Sequence, residues 1–218
     1  MSTFAELKNT ADSPSQVRKI VEAVAFLAPA SADAIETLTG PDGSITALPA
    51  AYKPVGLITK DGFSFSGDTN EEDVEALGYA APVRSDITSV SREVSFTAYE
   101  VFRRELLEVA YGMDLSAVTQ GTNGEIAFDR PALPQKTYYR LLVIGKDGAG
   151  TSEIFRAKFF PRVSISSIPE EAWGEDALTL EFAFKAFVDE AVGTSEREFI
   201  AGVGAKADKL ELGFTQSV

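Results

Sequence analysis

Residues 177–190 read ALTLEFAFKAFVDE, an alternation of apolar and mostly polar side chains that runs for about a dozen positions without a turn residue. Period-two spacing sets Leu178, Leu180, Phe182, Phe184, Ala186 and Val188 on one face, and Thr179, Glu181, Ala183, Lys185, Phe187 and Asp189 on the other. The first face calls for a core, and the second mostly for water. At roughly 3.3 Å per residue the stretch spans on the order of 40 Å, about twice a usual strand. Such a length suits a strand whose extent is set by something larger than one small domain.

The chain around it has 218 residues, 44% of them hydrophobic, enough to bury the core of one large β domain with extensions. Its formal net charge is -13 and its pI about 4.5, which argues against a protein that grips phosphate backbones through clustered Lys and Arg. There is no cysteine and no histidine. A Ser-His-Asp triad, a Cys-His pair, a His-ligated zinc and a haem proximal ligand each need a residue type this chain lacks. The amino terminus, MSTFAELKNTADSPSQVRK, is interrupted by charges and does not read as a secretory signal. No run of about 18 apolar residues occurs, so no membrane span is expected and the chain reads as cytoplasmic, at least initially.

Residues 1–16 are polar and read as an N-terminal arm, followed by a β domain over 17–190 and a carboxyl-terminal arm or final strand over 191–218. VRKIVEAVAFLAP (17–29) fits a helical stripe or a strand ending at Pro29. Residues 30–54 collect small residues, Gly and Pro and read as a long loop. YKPVGLITKDG then reads as a strand ending in an Asp61-Gly62 turn. Residues 62–87 lack clear periodicity and carry Asp68, Glu71, Glu72, Asp73 and Glu75 against a single Arg84, so a long acidic inter-strand loop is expected. SDITSVSREVSFT (85–97) alternates as a strand with Val90, Arg92, Val94 and Phe96 on one face and Ser89, Ser91, Glu93, Ser95 and Thr97 on a small polar second one.

A helix is predicted over about 98–111, because Thr97 with Glu100 makes a capping box and Gly112 sits where a C-cap belongs. Tyr99, Phe102, Leu106 and Val109 form its expected buried stripe, with Glu100 and Arg104 paired on the exposed side. Residues 135–163 read as two strands joined by a turn at Lys146 to Thr151.

Several motifs imitate chemistry. GFSFSG (62–67) resembles a nucleophile elbow, but Ser66 stands in place of the second Gly and no histidine is present to activate Ser64. GKDGAG (145–150) lacks the phosphate-loop order and joins two strands, which makes it a hairpin turn. TNEEDVE (69–75) offers clustered carboxylates without the calcium-loop order, and a solvated charge run is the plainer reading. A pair of carboxylates for glycoside hydrolysis is a property of the fold and stays open as an alternative. Trp173, the single tryptophan, is expected to pack against its own domain rather than serve as a sugar-stacking platform.

The succession KDGFSFSGDT, then APVRSDITSVSREVSFTAYEVFRRELLEVAYGMDLS, resembles the major tail protein of long-tailed phages of actinobacteria. The resemblance covers roughly residues 17–190 and favours the strand reading of VEAVAFLAP. It implies a mainly β fold, a β-sandwich or partial barrel of the tail-tube type with one flanking helix, and six copies closing into rings that stack into a tube. A non-enzymatic structural protein without cofactors is then expected in the virion tail, assembled in the host cytoplasm. Its implied partners are further copies of itself, the tape-measure, tail terminator and distal tail proteins, and DNA passing non-specifically. On this reading Glu93, Glu181, Lys185 and Asp189 are candidates to line the channel, and Asp68, Glu71, Glu72, Asp73, Glu75 and Arg84 to join one ring to the next. A carbohydrate-binding β-sandwich on a virion or cell surface is the competing expectation.

Overall fold

Leu141 to Ile144 form an apolar run without alternation, and the strand containing them, β5 (Tyr139–Asp147), is buried on both faces along that run. The computed structural model, which describes residues 2–171, 173–207 and 212–214, shows what covers each face. In chain order the other strands are β1 (Glu22–Pro29), β2 (Lys53–Pro54), β3 (Ile58–Val74), β4 (Arg84–Ala98), β6 (Ile154–Ile165), β7 (Leu180–Ala186) and β8 (Arg197–Ala201). They form one open antiparallel sheet in the order β2-β1-β5-β6-β7-β4-β3, with β8 also on β6. β6 gives its second edge first to β8, over Phe155–Phe159, and then to β7, over Val163–Ile165. That exchange of partners lets β7, β4 and β3 fold back across β1, β5 and β6, so the fold is mainly β and sandwich-like.

The larger core lies between the two halves. Leu27, Leu141, Val143, Phe160 and Val163 meet Val94, Phe96, Leu180, Phe182 and Phe184, with Phe96 stacked on both Phe182 and Phe184 at centroid distances of 5.5 and 5.9 Å. A second core fills the opposite face of β1, β5 and β6, where Ile35, Leu38 and Tyr52 from the 30–52 segment cover Leu142, Ile144, Phe155 and Phe159. The expected long loop is therefore a lid over the sheet, tied down by the Tyr52 hydroxyl donating to the Asp33 carbonyl at 2.7 Å.

The alternation of 177–190 is realised in β7, whose Leu180, Phe182, Phe184 and Ala186 are buried and whose Glu181 and Lys185 are exposed. Its length is corrected: β7 has 7 residues. After Ala186 the chain leaves the sheet, and Phe187 packs edge-on against Tyr138 at 5.6 Å. Val188, expected on the buried face, is 60% exposed. The long strands are instead β3, with 17 residues, and β4, with 15. Residues 62–87, expected as a loop, are most of a β-hairpin; Asp61-Gly62 is a bulge inside β3, between the pairs Ile58–Ala98 and Phe63–Phe96.

The helix is also shorter than its signals. α1 (Phe4–Ala11) lies in the amino-terminal arm with no buried residue, and the expected flanking helix is α2 (Arg104–Tyr111). Thr97 does not cap it. Thr97 pairs with Glu181, and Ala98 is held between Ile58 and Leu180, so ladder bonding on both edges of β4 outweighs a capping box worth on the order of 1 kcal/mol. Leu106 and Val109 are buried as expected and Gly112 ends α2 with φ 60° and ψ 42°, whereas Tyr99 and Phe102 precede the helix and are exposed. Glu100 pairs with Arg103, and Arg104 lies near Glu108 instead. Within 191–218 the structure places β8 and α3 (Val203–Ala207), and the rest of the expected carboxyl-terminal arm, apart from 212–214, lies outside the described residues. Among the described residues no helix is long and apolar enough to cross a membrane.

Phe182→Ala should lower the free energy of urea unfolding by about 3–5 kcal/mol through cavity formation. Phe102→Ala should change it by no more than about 0.5 kcal/mol, since that ring is outside the core.

Candidate assembly interface

The β3–β4 ribbon separates into two regions at Phe65. Toward the body its side chains enter the core: Phe63 lies 5.3 Å from Phe96, and Phe65, half exposed, stacks on Phe160 at 6.1 Å. Beyond Phe65 no residue of β3 is buried, and on the partner strand Arg84–Val90 are exposed on both faces. The pairing nevertheless continues in register from Gly67–Arg92 to Val74–Arg84, with one shift at Asn70/Glu71, and the Val83 amide donates to the Val74 carbonyl at 2.9 Å to close it. At about 3.3 Å per residue this arm extends on the order of 25 Å from the last core residue. An isolated two-stranded ribbon is at best marginally stable in water, so an arm of this kind gains most from a surface to lie on.

The arm also exposes apolar residues. Val74, Leu77, Tyr79, Val83, Ile87 and Val90 are all about half exposed or more, with Leu77 at the tip fully exposed. Composition had concealed them among the carboxylates. The outer edge of β3 has no strand neighbour among the described residues, which leaves a second route to association through the backbone.

The polar candidates divide by register. The face of β4 opposite the core carries Thr97, Ser95, Glu93, Ser91 and Ser89, and across the bulge Asp86 and Arg84. On β3 the same face carries Ser64, Ser66, Asp68, Asn70 and Glu72; on β7 it carries Glu181, Ala183 and Lys185, with Lys185 opposite Glu93. This is one mostly polar face running from body to tip, where Val74 opposite Arg84 is apolar, with carboxylates outnumbering cations. Glu71 and Asp73 lie on the other face of the arm beside Ile87 and Ser85. Glu75 follows the strand into the turn, and Arg84 is held by Asp86 through two hydrogen bonds of 2.6 and 2.9 Å. Successive carboxylates thus point apart, and among the described residues no group of three or more acidic side chains could hold a metal ion. Ser64 stands in mid-strand opposite Ser95, not at a strand-to-helix turn.

Asp189 is corrected as a channel-lining candidate. It is 9% exposed, lies 3.7 Å from the buried Arg140, and its Oδ1 accepts from the amides of Ala191 and Val192 at 3.0 and 3.2 Å. A side chain enclosed by its own turn faces no solvent channel. Trp173 departs from expectation in the other direction: it is 87% exposed, with its indole N–H donating to Glu171 at 2.8 Å.

The base of the arm is clamped by residues that sequence reading overlooked. Lys158 on β6 donates to both Glu196 and Glu198, and its ammonium lies 5.1 Å from the Phe65 ring centroid. Arg92 on β4 reaches Glu196 at 3.0 Å and the Ser195 hydroxyl at 3.1 Å. The carboxyl-terminal strand thereby ties the ribbon's base to the sheet. Burial by itself would lower the Lys158 pKa, but hydrogen bonds and charge from Glu196 and Glu198 outweigh it and raise it; Glu198 is lowered chiefly by its bond from Lys158. No short-range pattern joins positions 92, 158 and 196, so only the folded sheet reveals the cluster.

Compared with known proteins, the chain matches no protein-family model and no curated protein sequence.

Two outcomes follow. Asp189→Ala should destabilise the protein by about 3–5 kcal/mol in denaturant unfolding, because Arg140 stays buried without its counter-ion and the Ala191 and Val192 amides lose their shared acceptor. The clamp's contribution follows from its two shifts: that of Glu198 is complete above the ordinary glutamate range and lost as pH falls through its lowered value, and that of Lys158 is complete below the ordinary lysine range and lost as pH rises through its raised value. The stability difference between wild type and Lys158→Met should therefore be flat across neutral pH and shrink at both extremes, as measured by urea unfolding over a pH series.

Proposed function

We propose that this protein is a structural subunit that polymerises with copies of itself, and specifically the major tail tube protein of a long-tailed phage, built as stacked hexameric rings around a DNA-conducting channel. The observation that carries the reading is the β3–β4 arm: a paired ribbon exposed on both faces, apolar at its tip and open along one edge. A second copy of the chain supplies what the arm lacks. Ring formation would cover the β3 edge, and stacking would cover the tip.

The polar face described above supports assignment of the lumen. Duplex DNA carries one charge per roughly 1.7 Å and would adhere to a basic wall, whereas a wall carrying Asp68, Glu93 and Glu181 among serines repels weakly and offers no base contact. At physiological salt the repulsion reaches only about 8 Å, so a few carboxylates per subunit repeated around a ring suffice to keep DNA sliding. Tape-measure protein would occupy the same bore during assembly, with terminator and distal proteins closing the ends.

The exposed Trp173 favours a second reading, a virion or cell-surface module that stacks sugars on that ring. Electron microscopy of the purified protein separates the two. Rings or tubes of constant diameter support the tube subunit, and discrete monomers that bind glycans with a Trp173-dependent affinity support the second. Replacing Glu93 and Glu181 together by Lys should leave tubes intact while slowing genome delivery in infection assays; unchanged delivery would move the lumen to another face.

A further inference from the structure

The connection between α2 and β5 contains a tight turn that belongs neither to the cores nor to the arm. Residues 121–125 read GTNGE, and all of them are exposed. The Gly124 amide donates to the Gly121 carbonyl at 2.9 Å and the Gly121 amide to the Glu125 carbonyl at 2.8 Å, with Gly124 at φ 85°. Glycine closes such a turn in the left-handed region without strain. Asn123 is thereby followed by the one residue type with no side chain beside its backbone nitrogen. A Cβ added at Gly124 would meet nothing closer than Gln120 Nε2 at 3.9 Å, so the space around it is open.

The turn also holds the Asn123 side chain. Its Oδ1 accepts from the Glu125 amide at 3.3 Å, and its Nδ2 donates to the Glu125 carboxylate at 3.0 Å. An N–H on the carbonyl oxygen draws electron density from Cγ and stabilises the oxyanion formed when a nucleophile adds there. The other two asparagines lack this combination. Asn9 stands in α1 before the β-branched Thr10. Asn70 stands in β3 before Glu71, opposite Ser89, with its Nδ2 donating to the Ser89 hydroxyl at 2.8 Å. There a side chain on the next residue crowds the nitrogen, and helix or ladder bonding fixes the backbone that would have to turn.

We propose that Asn123–Gly124 is a self-modifying site, at which the Gly124 amide nitrogen attacks the Asn123 side-chain carbonyl and converts the asparagine to aspartate and isoaspartate. The nitrogen gives its proton to hydroxide and bonds to Cγ. The Cγ–Nδ2 bond breaks, and ammonia leaves with a proton from water, closing a succinimide ring. Water then adds to either imide carbonyl. Opening at Cγ restores the ordinary backbone with an aspartate side chain, and opening at the main-chain carbonyl carbon leaves the backbone running through Cβ and Cγ as isoaspartate. In sum one water is consumed and one ammonia released, with no oxidation or reduction. The bonds of the turn do not prevent this, because each lies at the surface and contributes only about 1 kcal/mol net, so local opening frees the Gly124 N–H from Gly121. In the aspartate product a carboxylate stands where Nδ2 met Glu125, which turns an attraction into a repulsion and adds one negative charge to a chain at -13.

The test follows folded wild-type protein in mildly alkaline buffer by intact mass, anion exchange and peptide mapping with fragmentation that separates aspartate from isoaspartate. Asn123→Asp supplies the charge standard, Asn123→Gln the unreactive control, and Asn9 and Asn70 the internal comparison. The expected result is loss of one ammonia per chain and a more acidic species, with isoaspartate at 123 alone, a rate that rises in proportion to hydroxide concentration, and no such species from Asn123→Gln. Folded protein that stays intact at 123 while the urea-unfolded chain converts there overturns the proposal, since the turn then shields its asparagine. Conversion of folded protein at 9 or 70 as fast as at 123 overturns it as well.

Discussion

Backbone pairing without burial is the constraint from which the rest of this structure follows. Within the body, β3 and β4 pair as any antiparallel strands do, with Phe63, Val94 and Phe96 sinking into a core beneath them. Beyond Phe65 the same hydrogen-bond ladder continues for the length of the arm with no core on either face. Ladder bonds contribute little net free energy against water, and ordering each backbone residue costs on the order of 1–2 kcal/mol, so the arm is the least self-supporting part of the sheet. Its stability depends on the clamp at its base and on whatever covers its surface.

That base explains the role of the carboxyl-terminal strand. β8 adds only five residues to the sheet, yet with the preceding segment it brings Glu196 and Glu198 to Lys158 and Arg92. Three distant parts of the chain are thereby joined where the ribbon leaves the body. The body itself does not need the arm: both cores are complete without any residue beyond Phe65 on β3. The sandwich and the clamp hold the fold, and the projecting ribbon is the part that the proposed association would use.

Much of the body was legible in the residues. The alternation of Leu180, Phe182 and Phe184, the hairpin turn at 146–151 and the C-cap at Gly112 are local patterns, and local patterns fixed them, whereas the strand ending at Pro29 also fits a helical stripe and is favoured by the resemblance. The errors arose where tertiary pairing overrode local preference. Thr97 and Glu100 satisfy a capping box, yet Thr97 has strands on both sides and Glu100 is recruited by Leu57 and Arg103. Asp, Asn and Glu are poor strand formers, and a ribbon exposed on both faces has no reason to alternate, so 62–87 resembled a loop. The only available signal was the Phe63–Phe65 alternation matching Val94–Phe96 across the Gly78 and Pro82 turn. Asp189 shared a period with Glu181 and Lys185, but the strand ends before it and the turn encloses it. The site candidates on the polar face, Glu93, Glu181 and Lys185, do fall together, because one register relates them.

Amide hydrogen exchange across Gly67–Val74 and Arg84–Val90, compared between dilute and concentrated protein, tests the central claim most directly. The account predicts rapid exchange in the dilute monomer, slow exchange once copies associate, and core strands β5 and β6 protected in both. Arm amides equally protected at the lowest concentration, with no change on concentrating, would contradict it.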